Sequence, residues 1–136
     1  MTSKRRSRFV ILSLILAALS VAPAAPDEPP QPSPLAEARY QAALKQYEVT
    51  WSYYQQSRID SYQVYVWSRL ILDSRSDLSK QPSDRILALQ GHLERMKKLE
   101  ALIRKVRRLG FGRSSDVGAS EYYRLEAEVW LEQAKE

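Results

Sequence analysis

The sequence predicts an all-α protein: two antiparallel helical hairpins, four helices with coiled-coil-like packing, placed after a secretory leader and a proline-rich linker. Three observations predict it. From Leu35 onward apolar residues recur at steps of three and four, the spacing that gives a helix one buried face. Tyr40, Leu44, Tyr47, Trp51 and Tyr54 follow at 4, 3, 4, 3, a heptad seam. The same stretch holds no proline except Pro82 and no glycine before Gly91, so its breaks are few and placed. The expected division is a signal peptide over 1–24, a linker over 25–34 and a helical-hairpin domain over 35–136.

Met1 to Arg8 is a cationic segment, Phe9 to Ala22 an apolar run, and Ala22 and Ala24 supply small residues at the −3 and −1 positions of a cleavage site after Ala24. The run is shorter than the roughly 20 residues that cross a bilayer core. A signal peptide touching the membrane only transiently is the favoured reading, and a retained anchor the alternative. No cysteine is present for lipid attachment. The lack of cysteine also favours a periplasm over a eukaryotic secretory route, where small domains lean on disulfides.

Ala25 to Pro34 carries five prolines in ten residues and predicts an extended spacer. Ser33 and Pro34 read as N-cap and first residue of the first helix. The seam fails around Ser57-Arg58-Ile59-Asp60-Ser61, where Ser and Asp offer capping chemistry, and a tight turn is expected there. Without it, residues 34 to 79 would form one rod of roughly 69 Å at about 1.5 Å per residue. The second helix is expected from Ser61 to Ser79 with Val64, Trp67, Leu70, Ile71, Ser74 and Leu78 inward. Lys80-Gln81-Pro82-Ser83 breaks the chain, with Ser83 as the expected cap of the third helix and Asp84 in its first turn. Leu89, Leu93, Met96, Leu99, Ile103 and Val106 form its stripe. Gly110 and Gly112 end it. Ser114-Ser115-Asp116 is expected to cap the fourth helix, whose inward set is Val117, Tyr123, Ala127, Trp130, Leu131 and Ala134. A weak repeat at a shift of 53 sets Ser61, Val64, Trp67, Leu72, Ser74 and Leu78 on Ser114, Val117, Ser120, Leu125, Ala127 and Leu131.

Composition narrows function. The chain of 136 residues is 44% hydrophobic and 27% charged, with no Cys and one His, which excludes thiolate metal sites, a Cys nucleophile and any multi-His site. Four of the 21 basic residues, Lys4, Arg5, Arg6 and Arg8, lie in the leader; beyond it 17 basic face 16 acidic side chains. The net +5 is therefore mostly a leader effect, and no nucleic-acid partner is expected. One local excess stands out: Arg95, Lys97, Lys98, Arg104, Lys105, Arg107, Arg108 and Arg113 against Glu100 alone. It reads either as a surface for an anionic partner or as charge answered by Asp116, Glu121, Glu126, Glu128, Glu132 and Glu136 on an antiparallel fourth helix. The latter is favoured.

Eight tyrosines and three tryptophans suit half-buried seams, with an aromatic ligand cleft as the alternative. In Tyr53-Tyr54 and Tyr122-Tyr123 one ring of each pair should face outward. His92 has no metal-ligating neighbour at helical spacing and reads as a surface or hydrogen-bonded histidine. Glu121 and Glu128 share a face without acid/base asymmetry. No phosphate loop, nucleophile elbow or zinc spacing occurs.

Leu109-Gly110-Phe111-Gly112-Arg113-Ser114-Ser115-Asp116-Val117, continued by Leu125-Glu126-Ala127 and Leu131-Glu132-Gln133-Ala134, resembles the periplasmic coiled-coil hairpins of TolC-type outer membrane efflux proteins. Arg58-Ile59-Asp60-Ser61-Tyr62-Gln63-Val64 is similar more loosely, with Ser57 where that pattern has glycine. The resemblance covers about residues 40 to 136. In that family the hairpin tips meet an adaptor protein, so it implies partner contacts at Ile59, Asp60, Gly110, Arg113 and Asp116. No segment alternates at period two, so the β-barrel of that family is not expected. The function expected is that of a non-enzymatic, exported protein of the bacterial envelope, periplasmic or secreted, without cofactor or metal. It would act through contacts with an envelope protein or with itself. The alternative is a small-molecule or lipid binding module using an aromatic cleft between the hairpins.

Overall fold

A computed structural model describes residues 31–136; the expected signal peptide, and the linker up to Pro30, lie outside the described residues. Four helices follow: α1 Pro34–Gln55, α2 Ser61–Leu78, α3 Pro82–Arg108 and α4 Ser114–Gln133. They form two antiparallel hairpins, α1 with α2 and α3 with α4, joined where α2 packs on α3. At about 1.5 Å per residue the 27-residue α3 is the longest axis of the bundle, roughly 40 Å.

Local chemistry sets each boundary. The Ser33 hydroxyl accepts from Ala36 N at 3.1 Å and Pro34 occupies the first turn, as expected. At the end of α1, Ser57 N donates to Tyr54 O (2.9 Å) and Arg58 N to Tyr53 O (3.0 Å), with Ser57 at φ 57°. This is a Schellman ending, in which a left-handed residue reverses the chain. Asp60 then accepts from Gln63 N at 3.2 Å and caps α2.

Two expected caps are corrected. Pro82, with its φ already helical, starts α3 from Gln81, so Ser83 lies inside the first turn; Asp84 does fall in that turn. Likewise α4 starts at Ser114, with Arg113 in the cap position and no side-chain cap bond, while Asp116 sits in the first turn.

The core runs along the hairpin seams. Val64, Met96, Leu99 and Ala127 are fully enclosed, with Tyr47, Trp51, Ile71, Leu72, Leu89, Leu93, Ile103 and Leu131 buried around them. Each large apolar side chain removed from water stabilises the fold by roughly 1.5–3 kcal/mol. The α3 stripe is as expected except that Val106, near the open end, is only half-buried. In α2 the inward face is rotated: Ser68 and Leu72 are buried while Trp67, Leu70 and Leu78 are half-buried. On α4, Ser120, Ala127 and Leu131 are buried, and Val117, Tyr123, Trp130 and Ala134 pack against the core from its margin. Tyr53 and Tyr122 face out, Tyr54 and Tyr123 in.

Helix α1 reaches α3 through long cationic side chains rather than close backbones. Arg95 Cζ lies 5.7 Å from the Tyr47 ring centre and Lys98 Nζ 4.4 Å from that of Trp51. Lys98 covers its ring from an exposed position, while the Arg95 guanidinium reaches inward past Tyr47. No helix among the described residues is long and apolar enough to cross a membrane.

Candidate functional site at the two-turn end

The turn after α1 and the turn after α3 lie at the same end of the bundle and share one open cleft of about 740 Å³. Ile59, Asp60, Arg113 and Asp116, four of the five expected contact residues, line it. Gly110 does not; it shapes the second turn from outside the cleft wall, and Gly112, absent from the expected set, lines it instead. Apolar surface comes from Leu102, Val106 and Phe111.

Backbone pattern explains why the two turns match. At the end of α3, Gly110 N donates to Arg107 O (3.0 Å) and Phe111 N to Val106 O (3.2 Å), with Gly110 at φ 86°. These bonds repeat those of Ser57 and Arg58. The equivalent residues are 53 apart throughout: Ser57 with Gly110, Asp60 with Arg113 as cap residues, Ser61 with Ser114 as first helical residues. The 53-residue correspondence therefore extends to the backbone of the turns, outside the helical periodicity that amphipathic segments share. Leu125, the partner of buried Leu72, is exposed.

Charge at this end is not balanced. Glu100 is buried and accepts from Arg124 Nε at 2.6 Å and Arg104 Nε at 2.9 Å, while Arg104 also reaches Glu121 at 3.4 Å. Burial pushes the Glu100 carboxyl up, but the two guanidiniums outweigh it and hold it below its ordinary value. These pairs fix the hairpin register. Residues beyond Arg104 face the start of α4, which offers Asp116 and Glu121, whereas Glu126, Glu128 and Glu132 lie toward the other end. The expected cancellation of the basic run by α4 is thus partial: among the described residues Lys105, Arg107, Arg108 and Arg113 make no ion pair, nor does Arg58 on the facing turn. Leu109 and Phe111, 64% and 69% exposed, stand among these cations.

Beneath the cleft Tyr54 is pushed up to about 12, by burial first and then by the Asp116 charge. Tyr123 is raised by burial first, with Tyr62, Asp60 and Asp116 adding to it. Asp116 therefore acts on both half-buried tyrosines and Asp60 on Tyr123.

The other polar constellation is internal. Ser68 Oγ and His92 Nδ1 are 2.7 Å apart, and Arg95 Nε donates to the same hydroxyl oxygen at 2.8 Å. His92 also stacks on Trp130, centroids 5.7 Å apart. Of the two expected settings for His92, the hydrogen-bonded one holds and the surface one does not. Ser68 and His92 have the spacing of a nucleophile and base, yet both are fully buried and no substrate reaches them. Sequence reading missed this pair because 24 residues separate its members. A signal existed: Leu89, His92, Met96, Leu99 and Ile103 step by 3, 4, 3, 4, which sets His92 in the seam.

No protein-family model, curated protein or solved structure matches this chain. Among the described residues no group of His, Asp and Glu is arranged to hold a metal ion. The two-turn end presents guanidiniums and carboxylates around apolar side chains.

Proposed function

We propose that this is a non-enzymatic, exported protein of the bacterial cell envelope, periplasmic or secreted, that acts by docking its two-turn end onto an envelope protein. The observation that carries this reading is the exposed Phe111 and Leu109 set among Arg58, Arg107, Arg108 and Arg113, which make no ion pair among the described residues. The cations steer and orient an acidic surface, and an aromatic anchor seated in the partner's pocket supplies most of the affinity. Export rests on the leader's charge and apolar pattern, and the resemblance to TolC-type hairpins favours the same end as the contact surface. Self-association through this end would set like charges face to face, so a separate acidic partner is the better fit.

A photo-cross-linking residue in place of Phe111 tests the reading in the native cell. We expect one adduct with an envelope protein, lost when Arg108→Glu and Arg113→Glu are combined, and no adduct from the also exposed position of Leu87 on α3. Adducts that form equally from both positions, or survive the charge reversal, would refute it.

A further inference from the structure

At the opposite end of the bundle the hairpins do not close on each other. Helix α2 meets α4 only loosely there, and a second open cleft, about 700 Å³, lies between them over the α2–α3 connection. Its floor is apolar, from Leu72, Leu89 and the half-buried Trp130. Its rim carries Arg69, Lys80 and Arg85 against Asp73 alone.

Arg69 is held in place. Its Cζ lies 4.2 Å from the Trp130 ring centre, its NH1 donates to Tyr65 Oη at 3.1 Å, and Glu126 is 3.9 Å away. The Nε of this guanidinium is buried without a partner, so Glu126 answers it only in part. Arg85 and Lys80 make no ion pair among the described residues; Lys80 Nζ donates to Ser76 O at 3.2 Å. The α3 N-terminus, where Gln81 gives no side-chain cap, adds its positive dipole end to the same rim. Trp130 is fixed from its other face by His92, so the wall is preformed.

We infer that this cleft binds a small amphipathic anion, a carboxylate on an acyl or aromatic body. The apolar part lies along Leu72 and Leu89 against the edge of Trp130, whose faces Arg69 and His92 cover, and the carboxylate meets Arg85 and Lys80 beside Arg69. A preformed apolar pocket with a few convergent charged groups is how such ligands are held. The inference concerns the end remote from the docking surface and stands independently of it.

The test is a titration of the folded chain with octanoate, followed by amide and indole resonances in ¹H–¹⁵N spectra. Saturable shifts are expected at residues 79–89 and at the Trp130 indole. Arg85→Ala with Lys80→Ala should weaken binding about tenfold or more, as loss of charge-assisted contacts does, without lowering the melting temperature, because neither side chain is in the core. Octanol and inorganic sulfate should each fail to saturate over the same range. The inference is overturned if octanoate shifts scatter along the bundle, if the double variant binds as tightly, or if octanol or sulfate matches octanoate.

Discussion

Ser57 and Gly110 hold the same position in two turns 53 residues apart, each left-handed, at φ 57° and 86°, and each closed by the same pair of backbone hydrogen bonds. Only one of them is the residue that suits this conformation. A left-handed backbone costs a residue with a Cβ about 1–2 kcal/mol, a cost glycine does not bear.

Ser57→Gly is therefore expected to stabilise the fold by about 1 kcal/mol, and Gly110→Ala to destabilise it by about the same amount. No atom lies within 4 Å of a Cβ built on Gly110, so that cost is conformational rather than steric. Urea unfolding of the two variants checks both signs. A Ser57→Gly variant less stable than wild type would contradict the turn equivalence.

His92 makes stability depend on pH in mild acid. Burial first, then the charges of Arg95 and Arg69, lower it to about 3, from about 6.5. The unfolded chain binds the proton more tightly, so folding stability rises with pH across that window and is lost as pH falls below about 6.5. The expected slope grows from about half that of a full proton at pH 6.5 toward about 1.4 kcal/mol per pH unit below it. Between pH 6.5 and 5.5 nearly all carboxylates stay charged in both states, so the slope there belongs mainly to His92. His92→Gln should be less stable at neutral pH yet flat over that range. A flat wild-type profile would contradict the burial of an uncharged imidazole.

Glu100 locks α3 to α4 through Arg104 and Arg124. Glu100→Ala takes the shared carboxylate from two guanidiniums, which keep only Glu121 and Glu128, and should cost about 1–3 kcal/mol. Both arginines keep some exposure, 43% and 23%, which limits the loss. Replacing Glu100 and Arg124 together by leucine should recover part of it, because the less exposed of the two guanidiniums goes with the carboxylate while Arg104 keeps Glu121. A double-mutant cycle of thermal or urea unfolding reads the coupling.

Trp51, 8% exposed, fills the α1 seam and carries Lys98 on its face. Trp51→Ala should lower stability by about 3–5 kcal/mol. Tyr53→Ala, two positions away on the outward face, should change it little. Unchanged melting of Trp51→Ala would mean that this face meets a partner rather than the core.

Much of the architecture is legible in the sequence for one physical reason: a heptad seam and an apolar stripe need only one helix to be read. Tyr40 to Tyr54 and Leu89 to Ile103 announce their buried faces locally. The turn at Ser57 is legible too, since the seam stops and Asp60 is a good cap. Features that depend on two helices are not. Ser68 is buried because His92 and Arg95 on α3 supply its partners, and nothing near Ser68 in the chain shows that. The unbalanced cations at Arg107 to Arg113 follow from the register between α3 and α4, which Arg104–Glu121 and Glu100–Arg124 set across space. Counting charges per helix suggests cancellation; placing them along the antiparallel pair separates them to opposite ends. The shared cleft has the same origin, since α2 leads away from the first turn and α3 leads back, which returns the second turn to the same end.

The docking account is tested most directly by amine cross-linking of the protein in its native envelope, with the linked lysines mapped by mass spectrometry. Lys105 lies by the turns, Lys45 on the exposed flank of α1 and Lys80 at the far end. Intermolecular links concentrated at Lys105, to the acidic surface of a single envelope protein, are the predicted result. Links spread evenly over Lys45, Lys80 and Lys105, or found only to cytosolic proteins, would contradict it.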